Sequence, residues 1–168
     1  MNKKLLLETL SSHQIIYKIY NHPALYTVKD SLEKRGLIEG AHTKNLFLKN
    51  KKNQFFLISC LESTIVDLKI LKKKLNLGNI SFAKDMYLQK ILGVEPGSVT
   101  PFGLLNDFNN KIVFYMDQKI LTFENVNFHP LVNTSTLSLN TKQFLTFMNS
   151  NNILVNIYNF DNYEHINE

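Results

Sequence analysis

The chain has 168 residues, 44% hydrophobic and 20% charged, with a formal charge of +5. At roughly 150 residues per domain, this length predicts one domain over 1–168, and the composition excludes a disordered tail or a fibrous repeat. The charge is lopsided: residues 1–84 hold fifteen Lys and Arg against six Asp and Glu, net +9, whereas residues 85–168 hold four against eight, net −4.

Leu6 and Leu10 repeat at helical spacing and predict a short amphipathic helix over Lys3 to Leu10. Gln14 to Tyr20 reads as a strand, closed by Asn21-His22-Pro23. Thr27 and Asp30 have the spacing of a capping box for the next helix, which Gly36 ends after Arg35. Two apolar runs, Ala41 to Lys49 and Gln54 to Leu61, flank the polar, basic turn Asn50 to Asn53 and predict a hairpin.

Asp67 caps a helix to Leu75 with Gly78 as its stop, a short strand covers Ile80 to Phe82, and a helix runs from Asp85 to Leu92 before Gly93. Glu95 to Gly103 contains Pro96, Gly97, Pro101 and Gly103 and predicts a shaped loop. Strands follow at Ile112 to Met116, Val126 to His129 and Thr136 to Leu139, then a helix at Thr141 to Met148 and a last strand at Leu154 to Tyr158. Helices and strands mix without strict βαβ alternation. The expected fold is therefore α+β, with a mixed, largely antiparallel, barrel-like curved sheet.

Clusters at Lys44, Lys49, Lys51, Lys52 and at Lys69, Lys72, Lys73, Lys74 would steer a polyanion such as tRNA, although such faces are also ordinary solvated surface. No apolar run approaches the roughly 18 residues that span a bilayer, and the first residues, with only a three-Leu run before Glu8, are not expected to act as a signal peptide. With Cys60 the only cysteine, no internal disulfide is available, and a reducing, cytoplasmic location is expected. Cys60 itself reads as a small buried hydrophobe in a strand. Walker, GxGxxG, HExxH and GxSxG patterns are absent, and the five histidines show no ligand spacing, so neither a metal nor a cofactor is expected.

The runs Ala41-His-Thr-Lys-Asn-Leu-Phe-Leu-Lys49, Pro96-Gly-Ser-Val-Thr-Pro-Phe-Gly-Leu104 with Asn106-Asp107, and His129-Pro-Leu-Val-Asn133 with Thr136 resemble the YbaK and prolyl-tRNA-synthetase editing-domain family. The likeness is strongest to its free-standing ProX (ProXp-ala) branch, and it implies an aminoacyl-tRNA deacylase that clears alanine from proline tRNA. Cysteinyl or seryl esters, or a silent tRNA-binding or synthetase-associated module, are the alternatives. The partners implied are a mischarged proline tRNA, held by its 3′-terminal adenosine, and prolyl-tRNA synthetase.

The chemistry such a reaction needs is modest, because the ester is already activated: a held terminus, a water and a stabilised oxyanion. By the resemblance Lys44 is the essential cation, with Asn45 an orienting amide beside it. The GxxxP loop Gly97 to Pro101 brings backbone groups to the ester and lets the substrate's own ribose hydroxyl help activate the water. Ser98, Val99 and Thr100 belong to that loop. His129 is the pocket histidine, with Asn133 and Thr136 as further contacts. His42, two residues before Lys44, would share its strand face. Tyr20, Val28 and Leu46 are expected as walls of a pocket that admits alanine and excludes proline by volume.

Overall fold

The computed structural model describes residues 1–109 and 111–166, and in it alternate residues of the expected hairpin serve two separate cores. β2 (Ala41–Asn50) and β3 (Phe55–Leu61) pair antiparallel, Lys44 opposite Cys60 and Asn45 opposite Ser59. Phe47 and Leu57 face the larger core, whereas Leu48, Phe56, Ile58 and Cys60 face the smaller. Burial on both faces explains why β3 reads as a continuous apolar run rather than an alternating one.

The other elements follow from local chemistry with a few departures. α1 (Lys3–Ser12) begins where Asn2 Oδ1 accepts from Leu5 N at 3.0 Å, and it buries Leu6 and Leu10. The first strand starts later than the composition suggests: β1 is Tyr17–Asn21, because Gln14 turns left-handed at φ 58° and Ile15 N bonds back to Leu10 O. α2 (Val28–Lys34) has both halves of its capping box, Asp30 N to Thr27 Oγ1 at 3.0 Å and Thr27 N to Asp30 Oδ2 at 3.1 Å.

α3 (Leu68–Lys74) is capped by Asp67 as expected, but its chain reversal falls at Asn76, φ 50°, two residues before Gly78. β4 (Ile80–Phe82) matches its expectation, and α4 (Asp85–Tyr87) widens into a π-helical turn over Leu88–Leu92 where one regular helix was expected. The Pro-Gly loop ends in a 3-10 helix, Pro101–Asn106. β5 (Ile112–Asp117), a 3-10 turn at Gln118–Thr122, β6 (Asn125–Phe128), β7 (Ser135–Asn140), α5 (Thr141–Ser150), β8 (Val155–Asn159) and a two-residue β9 (Glu164–His165) complete the order.

The fold is α+β with a mixed sheet in the order β1-β7-β6-β2-β3-β5-β8-β9, β4 pairing with β2 beside that path. Five of the eight pairings are antiparallel; β2–β6, β3–β5 and β5–β8 are parallel. β2 gives one edge to β3 and shares the other between β6, at Ala41–His42, and β4, at Leu48–Asn50. Among the described residues no strand covers that second edge from Thr43 to Phe47.

The loop beyond β4 is anchored from inside. Phe102 is fully buried, its ring edge-on to Phe128 and Phe144 at centroid distances of 6.0 and 5.9 Å. Burying such a ring contributes about 1.5 to 3 kcal/mol, enough to fix the loop that precedes it. No helix among the described residues is long and apolar enough to cross a membrane.

Candidate functional site

Where β2 lacks a second neighbour, the N-terminal turn of α2, the Gly97 loop and His129 close around it and leave a cleft of about 230 Å³. Its floor is Thr43, Lys44 and Asn45, and its rim carries Tyr26, Thr27 and Val28. Lys44 Nζ donates to the backbone carbonyl of Glu62 at 3.1 Å, a bond that leaves its charge uncompensated. Among the described residues no carboxylate comes within ion-pair distance of it.

The carboxylate that could have done so is already held. Glu62 lines the cleft, but Arg35 grips its two oxygens at 2.5 and 3.0 Å. The side chains are 12% and 19% exposed, so solvent screens the pair weakly. The result is a cleft with one unpaired cation, suited to an anionic group.

Asn45 Oδ1 accepts from the buried Ser59 hydroxyl at 2.5 Å, which fixes the amide and leaves its NH₂ for other partners. Gly97 sits at φ +83°, and a Cβ there would lie 3.0 Å from Tyr26 Cδ1, 3.1 Å from Asn133 Nδ2 and 3.1 Å from Leu25 O. Glycine is thus required twice, by the backbone angle and by the crowding. The turn around it is tied by Ser98 N to Glu95 O at 3.0 Å.

His129 Nδ1 lies 3.0 Å from Ser135 O. A carbonyl only accepts, so Nδ1 carries the hydrogen and Nε2 of the neutral ring keeps its lone pair. Burial holds the imidazole below its ordinary value, the Ser135 carbonyl opposing. Cys60 is inert by the same physics: burial pushes its thiol up to about 12.

Of the side chains singled out from the sequence, Lys44, Asn45, Gly97, Val99, His129 and Val28 line this cleft. His42 and Thr136 instead border a small recess behind it, together with Asn45 and His129. His42 therefore does not share the main cleft with Lys44, because its Nε2 is drawn 2.7 Å from Ile38 O. Asn133 stands behind Gly97. Ser98, Thr100 and Pro101 are buried beneath the loop and line neither space. Tyr20, on the edge strand β1, lines a separate groove with Lys18 and Gln143, and Leu46 packs toward the smaller core beside Leu48.

The lining residues that sequence reasoning passed over are Leu25, Tyr26, Thr27, Ser31, Thr43 and Glu62. Two signals pointed to them. The capping box that starts α2 also sets its first turn at the rim, and the hairpin register brings Glu62 N to His42 O at 2.9 Å, beside Lys44.

A family model described as the aminoacyl-tRNA editing domain matches residues 22–147, the stretch that contains every lining residue of the cleft. The chain is 39% identical to a prolyl-tRNA synthetase associated domain-containing protein 1 of Xenopus laevis over 76% of this chain and 78% of that one. It is 34% identical to the Bos taurus protein of the same name over 92% of each. It is also 30% identical to the prolyl-tRNA editing protein ProX of Acetoanaerobium sticklandii over 89% of this chain and 92% of that one. Among solved structures, a candidate trans-editing enzyme for prolyl tRNA synthetase superposes with a TM-score of 0.66 at 17% identity, covering 91% of this chain and 93% of that one.

Proposed function

This chain belongs to the aminoacyl-tRNA editing domain family, and from that premise we propose that it hydrolyses alanine mischarged onto proline tRNA, acting in trans. The observation that carries the reading is the unpaired Lys44 ammonium in a small cleft whose opposite wall is the Gly97 turn.

In this reading Lys44 meets the phosphate of the 3′-terminal nucleotide, and the Asn45 NH₂ orients the ester or ribose beside it. Backbone groups around Gly97 lie against the ester carbonyl, where an N–H donor stabilises the oxyanion that forms when water adds. The ribose 2′-hydroxyl assists that water, the bond from the acyl carbon to the 3′ oxygen breaks, and free alanine and uncharged tRNA leave. This scheme requires neither a protein nucleophile nor a protein base.

A cleft of about 230 Å³ is smaller than the roughly 300 to 1,000 Å³ of ordinary small-molecule sites, in keeping with a site that takes the acyl end of the ester while the adenosine lies across its mouth. A pocket for proline cannot strongly reject alanine, since each missing methylene is worth about 1 to 3 kcal/mol; a second, smaller sieve supplies the difference. Prolyl-tRNA synthetase, the source of the mischarged ester, is the proposed protein partner.

The test is hydrolysis of alanyl, cysteinyl, seryl and prolyl esters on proline tRNA. Fast loss of alanine with proline spared supports the reading. Preference for the cysteinyl or seryl ester changes the substrate but not the reaction, and salt-dependent tRNA binding without any hydrolysis overturns the activity.

A further inference from the structure

Leu25 is 3% exposed and Tyr26, the next residue, is 67% exposed, although both line the cleft. The backbone builds this contrast. Leu25 N donates to Asn133 O at 3.0 Å and His22 N to Thr134 O at 3.1 Å, which zips the segment onto the chain just before β7. On the other flank, Tyr26 N and Thr27 N both donate to Asp30 Oδ2, at 3.3 and 3.1 Å, in the capping turn of α2. Tyr26 Cδ1 lies against Gly97, where a Cβ would come within 3.0 Å of it. The ring is thus open to solvent on a backbone fixed from both sides, so it has little freedom left to lose when a flat group settles on it.

The surface around the ring is apolar. Of the described residues that line the cleft only Tyr26 and His129 carry rings, and His129 is tied to Ser135 O. Val28 and Leu32, one turn apart on α2, are exposed beside Tyr26 in the chain. The charges of this helix and its C-cap are matched: Lys34 with Asp30 at 2.7 Å, Lys29 with Glu33 at 3.9 Å, and Arg35 with Glu62. The α2 rim therefore offers apolar surface, whereas the floor offers the Lys44 ammonium. A nucleotide is divided in the same way, with a flat base at one end and an anionic phosphate at the other.

We propose that Tyr26 is the platform on which the 3′-terminal adenine of the tRNA stacks, holding the base on the rim while its phosphate meets Lys44 and the acyl group enters the cleft. Unpaired bases are held by proteins chiefly through stacking on aromatic rings, and Tyr26 is the exposed ring at this mouth. The inference rests on the deacylase reading and adds to it a residue that reads the nucleoside rather than the amino acid.

The experiment compares alanyl esters on proline tRNA ending in adenosine and on the same tRNA ending in an abasic ribose, each kcat/KM divided by that ester's uncatalysed hydrolysis. Wild-type protein is expected to favour the adenosine ending by about fivefold to a hundredfold, the range for one stacked base. Tyr26→Ala is expected to lose most of that preference, chiefly through KM, with its rate on the abasic ending close to wild type; Tyr26→Phe is expected to keep the preference. Equal normalised rates for the two endings with wild-type protein overturn the platform alone. So do a Tyr26→Ala protein that keeps the full preference or slows both endings alike, and a Tyr26→Phe protein that loses it. A wild-type protein that cleaves neither ester overturns the deacylase reading and the platform together. Tyr26 is largely exposed, so its substitution leaves the fold in place, and a ratio taken within one protein is unaffected by the fraction folded.

Discussion

Arg35 and Glu62, 27 residues apart, meet in a two-armed ion pair at 2.5 and 3.0 Å, and the backbone carbonyl of the same Glu62 receives Lys44 Nζ. Glu62 therefore holds the lysine by its neutral end while Arg35 occupies its charged one. Arg35→Met frees the carboxylate to capture Lys44. The expected outcome is a loss of about 2 to 3 kcal/mol in stability, below the range for a fully buried pair, and a fall in hydrolysis although Arg35 does not line the main cleft. Adding Glu62→Gln removes the competing charge and is expected to restore part of the rate; thermal melts and deacylation kinetics on the single and double variants check both effects.

Lys44→Ala is expected to abolish hydrolysis while shifting stability by no more than about 0.5 kcal/mol, because the side chain makes one hydrogen bond and no ion pair among the described residues. Full deacylation by a folded Lys44→Ala protein would remove the lysine from the mechanism.

Gly97→Ala combines a left-handed backbone angle with contacts of 3.0 to 3.1 Å to Tyr26, Asn133 and Leu25 O, and is expected to cost about 1 to 3 kcal/mol and most of the activity. Gly36→Ala is the control. Gly36 shares the positive angle, at φ +74°, but has open space around it, so about 1 kcal/mol of stability and little activity should be lost.

The pH profile has two windows. His42 and His129 are held below their ordinary value of 6.5 by burial, so the folded state takes up fewer protons than the unfolded chain once the pH falls below about 6.5. Stability is therefore expected to be level above that pH and to decline beneath it. Asp30, drawn down to about 2 by the Lys34 and Thr27 hydrogen bonds, adds a second decline as the pH falls from about 4 toward 2. Melting temperatures from pH 8 to pH 3 should show both steps, and His129→Asn should flatten the upper one.

Much of this was legible because it is local. The Thr27–Asp30 capping box, the Asp67 cap and the hairpin are each written within a few residues, and each appears in the structure with its hydrogen bonds. The start of β1 was missed locally, because Gln14 turns left-handed with no glycine to mark it. The rest of what could not be read is set by distance along the chain: the Arg35–Glu62 pair, 27 residues apart, depends on the register of β2 with β3. The choice of Tyr20 as a cleft wall missed for the same reason: β1 pairs with β7 and gives Tyr20 to another groove, while Tyr26, past the proline, reaches the Gly97 turn.

The gap in pairing along β2 has an architectural meaning. A strand whose edge is covered at both ends and open between Thr43 and Phe47 is a sheet with one rung of its ladder left out, framed on every side by finished structure. The Phe47 carbonyl is taken by Ala83 N at 2.9 Å, and the stretch from Lys44 to Leu46 that no strand covers is held in line by the pairs on either side. The floor of the cleft is thus preorganised by the same pairing that builds the sheet, and a visitor meets a surface already set in the geometry of a missing neighbour.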